Sequence, residues 1–210
     1  MALVGRRGFM RGTGTAVAAV AVASTGARSV VAQAFEVRTE RYRVRVAPLV
    51  LGLDHPWGID FMPDGGFLVT ERAGRLRRVR AGGVLDPTPI SNLPNLVVAK
   101  QGGLLDVALD PEFRANGWVY LTYAGGAPGA TFTGLARGRL VDGRLQPLQL
   151  LFQSRPTANS TIHYGSRIVF RSGNPFLSIG DRGDRDRAQC LSDYGGRSSA
   201  SDQGRYLFDL

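Results

Sequence analysis

Few side chains in this sequence could move a proton between a ligand and the protein. Its 210 residues include two histidines, His55 and His163, and one cysteine, Cys190. His163 stands just before Gly165-Ser166-Arg167-Ile168-Val169-Phe170, a run that reads as a strand. A neutral imidazole, with a pKa near about 6.5, suits taking a proton from a hydroxyl near neutral pH; a turn or packing role is the bland alternative for any single histidine. Asp181 lies in Gly180-Asp181-Arg182-Gly183. A carboxylate beside an imidazole fixes its tautomer and stabilises its protonated form, whereas a loop aspartate can equally cap a turn. Gln101 opens Gln101-Gly102-Gly103. Its amide can donate to and accept from a bound hydroxyl or carbonyl, or simply be a solvated turn residue.

Other candidates carry less chemistry. One cysteine permits no internal disulfide and no four-thiolate metal site. Asp181, Asp184 and Asp186 alternate with Arg182, Arg185 and Arg187, and this spacing misses the D-x-[DN]-x-[DN]-G calcium loop, so it reads as a solvated charged loop with no metal ligand assigned. His55 precedes Pro56, which restricts it to extended backbone, and its expected role is to order that turn. Trp57, Trp118 and Tyr120 fall on strands and are expected in the core rather than on a stacking platform. No G-x-S-x-G, G-x-x-x-x-G-K or H-E-x-x-H segment occurs.

The elements that must position these residues are strands. With 28 glycines and 11 prolines in short turn clusters, the composition favours an all-β chain over a helical bundle. Trp57–Met62 runs through Pro63-Asp64-Gly65-Gly66 into Phe67–Thr70, then through Ala73-Gly74 into Leu76–Arg80. Gly103–Leu109 repeats the scheme and leads to Trp118–Tyr123, with strands near 131–141 and 145–152; Gly165–Phe170 opens a third copy that runs into Phe176–Ile179. The openings at Gly58, Gly103 and Gly165 are spaced like four-stranded propeller blades, which favours a propeller over a sandwich or barrel. A closed six-bladed ring needs on the order of 320 residues, so this chain holds about three blades.

The formal charge of +9 would ordinarily suggest nucleic acid. Arg6, Arg7, Arg11 and Arg28 lie in the first 34 residues, which hold no acidic residue, and without them the charge is +5. The other arginines are scattered among acidic neighbours with no aromatic-interleaved basic run, so no nucleic-acid partner is expected. Arg6-Arg7-Gly8-Phe9-Met10, an Ala/Val-rich stretch over 13–25 and Ala32-Gln33-Ala34 read as a twin-arginine signal peptide over 1–34. The apolar stretch falls well short of the roughly 20 residues of a membrane-spanning helix, so the expectation is export to the periplasm or outside the cell, with no stable membrane span once the signal is removed.

Five stretches occur in one order: Leu53-Asp54-His55-Pro56-Trp57-Gly58, Leu68-Val69-Thr70-Glu71-Arg72, Gln101-Gly102-Gly103-Leu104-Leu105-Asp106, His163-Tyr164-Gly165-Ser166-Arg167-Ile168-Val169-Phe170, and Gly180-Asp181-Arg182-Gly183. On them the chain resembles the N-terminal half of the soluble quinoprotein glucose/sorbosone or aldose sugar dehydrogenases. That resemblance implies a six-bladed β-propeller, here a partial one, that uses pyrroloquinoline quinone (PQQ) and calcium. It implies oxidation of an aldose to its lactone by hydride transfer to the quinone, with an external electron acceptor. His163 would be the general base, Asp181 its partner, and Gln101 a contact to the sugar or the quinone.

The resemblance ends near Gly196. It divides the chain into the signal at 1–34, a partial propeller at 35–196 and an off-pattern tail at 197–210. Most of the family's cofactor and calcium ligands would lie in later blades, so the chain alone is expected to be inactive and to expose apolar blade faces. A noncatalytic exported propeller fragment that binds a sugar or a protein partner is the alternative. A calcium-dependent propeller hydrolase is disfavoured, because the motifs are those of the quinoproteins.

Overall fold

Period-two alternation explains the first blade. In the computed structural model, which describes residues 33–186, 198–201 and 205–209, β3 (Pro56–Phe61) sends Trp57, Ile59 and Phe61 to one side and Gly58 and Asp60 to the other. β4 (Phe67–Glu71) is buried on both faces and pairs with β3 and with β5 (Arg75–Arg80), which pairs in turn with β6 (Val84–Leu85). The turn between β3 and β4 is closed by Asp64, whose Oδ1 accepts the Gly66 N–H at 2.9 Å.

The second sheet repeats the meander. β7 (Leu104–Leu109), β8 (Trp118–Ala127), β9 (Ala130–Val141) and β10 (Arg144–Leu145) follow in order, and β11 (Gln149–Gln153) also pairs with β9. The third sheet holds β12 (Gly165–Arg171) and β13 (Asn174–Ile179), antiparallel, followed by β15 (Arg205–Asp209) and then β14 (Ser198–Ser201). Its last two strands thus exchange the places that a simple meander would give them. Residues 33–210 form one compact unit, a partial β-propeller of three blades. Several elements had no counterpart in the sequence reading: a hairpin of β1 (Phe35–Arg38) and β2 (Arg43–Val46), the short strand β6, the short helix α1 (Phe113–Asn116), and β14 and β15, which lie in the stretch read as an off-pattern tail. Among the described residues no helix is long and apolar enough to cross a membrane.

Adjacent blades are held by apolar side chains and by a repeated polar device. Leu68 and Leu76 of the first blade pack with Leu104, Val107 and Leu121 of the second; Ala108, Tyr120 and Leu135 of the second pack with Ile168, Leu177 and Ile179 of the third. Each fully buried leucine or isoleucine among them contributes about 1.5–3 kcal/mol. The polar device uses a threonine and an aspartate at each junction. Thr70 donates to the Leu105 carbonyl and Thr122 to the Ser166 carbonyl. Asp60 accepts the Leu109 N–H at 2.6 Å, and Asp106 accepts the Ile168 N–H at 2.8 Å. Backbone groups on the innermost strands are thereby satisfied across the blade boundary instead of being left bare in the interior.

Three expectations need correction. Tyr120 is in the core, but Trp57 is exposed: it lies on the outward face of β3 with Ile59 and Phe61, and the Arg167 guanidinium stands 5.4 Å from its ring. Trp118 is half-buried beneath Arg137 and Arg139. His55 is not extended: its φ is 48°, held by an imidazole contact to Asp54 and by the Arg72 N–H on its carbonyl. The hairpin leaves Phe35, Val37, Val44 and Val46 exposed, so apolar surface is uncovered there as well as on β3.

Candidate functional site

Two strand ends create the site. β12 begins at Gly165 and β13 ends at Ile179, and these two residues face each other in the sheet register. The peptide just before β12 and the one just after β13 therefore leave the same edge of the third blade side by side. Glycine is required at both positions. A Cβ on Gly180 would lie 2.1 Å from the His163 carbonyl oxygen, and one on Gly165 would lie 2.6 Å from the Gly180 nitrogen. This close approach is what lets residues 163 and 181 meet.

His163 is half exposed, and its Nδ1 lies 2.8 Å from Asp181 Oδ1. Its backbone N–H donates to Gln101 Oε1 at 2.8 Å, and the Gln101 N–H donates to the Thr161 carbonyl at 3.1 Å. The structure thus brings all three sequence candidates together, although Gln101 and His163 are 62 positions apart. The backbone at His163 is left-handed, with φ 52°. For a non-glycine residue that costs about 1–2 kcal/mol, which the contacts on either side offset.

The protonation pattern follows from Asp181. The Gly183 N–H, then the His163 imidazole, hold its carboxyl below the ordinary 3.8. It is therefore ionised near neutral pH and can only accept. His163 Nδ1 must then carry the hydrogen, which leaves the Nε2 lone pair as the basic site. Because the folded-state pKa is the depressed one, the stability that Asp181 contributes is present above 3.8 and is lost as pH falls through the lower folded value. Asp181→Asn should thus unfold at lower urea than the wild type at neutral pH, and the gap should shrink in acid.

One further residue was misjudged. The loop over 181–186 is indeed exposed at Asp184, Arg185 and Asp186, but Arg182 is 4% exposed and its guanidinium turns inward. Alternating Asp and Arg gave no hint of this, because its partners lie far away in sequence. Cys190 and Arg187 lie outside the described residues.

The site is thus a histidine–aspartate pair at a strand edge of a partial β-propeller. The comparisons with known proteins place it more narrowly. The glucose/sorbosone dehydrogenase family model matches residues 53–200, and the chain belongs to that family. An uncharacterized protein of Synechocystis, slr1608, is 39% identical over 156 residues, covering 70% of this chain and 38% of its own. Aldose sugar dehydrogenase YliI of Escherichia coli is 36% identical over 167 residues, covering 77% of this chain and 45% of its own. The PQQ-bound aldose sugar dehydrogenase of Streptomyces coelicolor superposes with a TM-score of 0.58 at 26% identity, covering 71% of this chain and 45% of that one. The chain spans less than half the length of these relatives.

Proposed function

We propose that this chain is the base-bearing part of an exported, PQQ-dependent aldose dehydrogenase. The observation that carries the reading is the 2.8 Å contact between His163 and an ionised Asp181, with Gln101 fixing the histidine's backbone. His163 Nε2 takes the proton of the sugar's anomeric hydroxyl as the C–O bond becomes a lactone carbonyl. Asp181 keeps the tautomer correct and stabilises the imidazolium that forms. Gln101 has committed its oxygen to His163, so its Nε2 donors are what remain for a sugar or quinone oxygen. When bound, the quinone supplies the acceptor for the hydride that leaves the anomeric carbon, and an external acceptor then takes the electrons.

The residues present fit one edge of such a cofactor. Lys100 adjoins Gln101 in the chain, and Arg72, in the turn after β4, donates to the Lys100 carbonyl, so two cationic residues adjoin the Gln101 segment and could face quinone carboxylates. Calcium finds no match: among the described residues no group of three or more His, Cys, Asp or Glu could hold a metal ion, and no step is assigned to one. The twin-arginine signal over 1–34, which lies almost wholly outside the described residues, supports a periplasmic or extracellular site of action.

The test is complementation. With added quinone, calcium, an aldose and a dye, the 210-residue chain alone should show no turnover. Co-expression with the part of the Escherichia coli relative beyond the matched segment should restore it. Turnover by the chain alone would contradict the reading, and so would a complemented protein that binds quinone but leaves every aldose untouched.

A further inference from the structure

The residue on either side of His163 and the carbonyl of His163 itself are all held by one neighbour, and that neighbour is Arg182. Its backbone N–H donates to the His163 carbonyl at 3.3 Å. Its Nε donates to the Ile162 carbonyl at 3.0 Å, and its Nη2 donates to the Ser160 carbonyl and to Thr131 Oγ1, the latter at 2.6 Å. Its guanidinium carbon stands 3.7 Å from the ring centroid of Tyr164. Tyr164 is itself buried against Leu105 and Ala124 of the second blade, and Thr131 belongs to β9 of that blade. Arg182 adjoins Asp181 in the chain, so the same residue governs both members of the pair.

We propose that Arg182 is a positioning residue that sets His163 against Asp181, by tying the 160–164 segment and the 181–183 turn to the wall of the second blade. The guanidinium suits this task for three reasons. It stays charged across the whole working range, so the clamp does not loosen as His163 gains and loses its proton. Its planar fork reaches two carbonyls and a hydroxyl at once, which an ammonium on a flexible stem cannot do. Its flat face lies on an aromatic ring whose own position is fixed by the core. The backbone at Arg182 is left-handed, φ 59°, and so is that at His163, φ 52°. Two such residues facing each other across Gly165 and Gly180 persist only where the surroundings over-determine them.

This inference rests on the reading of His163 as the base, but its test does not need turnover. The chain has only two histidines, so nitrogen-15 spectra of the imidazoles give two resolvable sets of signals, with His55 as an internal reference. In the wild-type chain His163 is expected wholly as the Nδ1–H tautomer. In Arg182→Gln that fraction should fall well below half, toward the Nε2–H tautomer that an unpartnered neutral imidazole favours, once the Asp181 contact is lost. Arg182→Lys, which keeps the charge but not the fork, should restore the tautomer only in part. Thr131→Val removes the hydroxyl that accepts from the guanidinium and itself donates to the Ser160 and Ala158 carbonyls, and should produce a smaller shift in the same direction. Val79→Ala, a core change on β5 of the first blade, should lower the melting temperature and leave the tautomer as it was.

Unchanged His163 signals in Arg182→Gln and Thr131→Val would overturn the proposal. So would an equal change in Val79→Ala, which would make Arg182 a contributor to stability alone. Should Arg182→Gln fail to fold, Arg182→Lys and Thr131→Val decide the matter by the same criterion. A tautomer that moves as described, in a protein whose complemented form binds quinone but oxidises no sugar, would preserve the positioning role and sink the enzymatic reading instead.

Discussion

Replacing His163 by Gln in the complemented enzyme should lower kcat by about 10²–10⁴ and change KM little, the loss that accompanies removal of a positioned general base. Glutamine keeps the approximate size and a polar tip but cannot accept and hold a proton. The backbone contact between residue 163 and Gln101 does not depend on the side chain, so the loop should stay in place. Asp181→Asn should cost less, about 10–100-fold, because an amide can still contact Nδ1 but no longer enforces the Nδ1–H tautomer or stabilises the imidazolium. Steady-state dye reduction on both variants gives the comparison. If Asp181→Asn lost more than His163→Gln, the roles assigned to the two residues would be reversed.

The largest effect on stability is expected at Asp106, which lies between the second and third blades and is 1% exposed. Its Oδ2 accepts the Ile168 N–H and its Oδ1 accepts from Arg167, both at 2.8 Å. Asp106→Ala strands a buried N–H and leaves a gap, and should lower the unfolding free energy by about 2–4 kcal/mol. Asp106→Asn keeps one acceptor and should cost less. Burial pushes the Asp106 carboxyl above 3.8, against the pull of the Ile168 N–H and Arg167. Ionising it in the folded chain therefore costs stability as pH climbs through that range, and the penalty of the Asn variant relative to wild type should be greater in acid than at neutral pH. Urea unfolding at two pH values tests both the size and the sign.

Much of this architecture was legible in the sequence because turn chemistry and alternation are local. Pro63-Asp64-Gly65-Gly66 marks the first hairpin, and the alternation of Ile59 and Phe61 with Gly58 and Asp60 marks β3, in each case within a few residues. The meeting of Gln101, His163 and Asp181 was legible only through the family resemblance, since no local rule links positions 62 apart. Arg182 was misread for the same reason: its burial is set by Thr131 and Tyr164, and composition near Asp181 says nothing of either. Trp57 was expected inside because tryptophan on a strand usually is. Its face of β3 lies uncovered among the described residues.

The central claim, that the imidazole at 163 receives the sugar's proton, is tested most directly by chemical rescue. His163→Gly in the complemented enzyme should be nearly inactive, and added imidazoles should restore turnover in proportion to their basicity. A glycine variant that oxidises aldose at the undiminished rate, indifferent to imidazole, would contradict it.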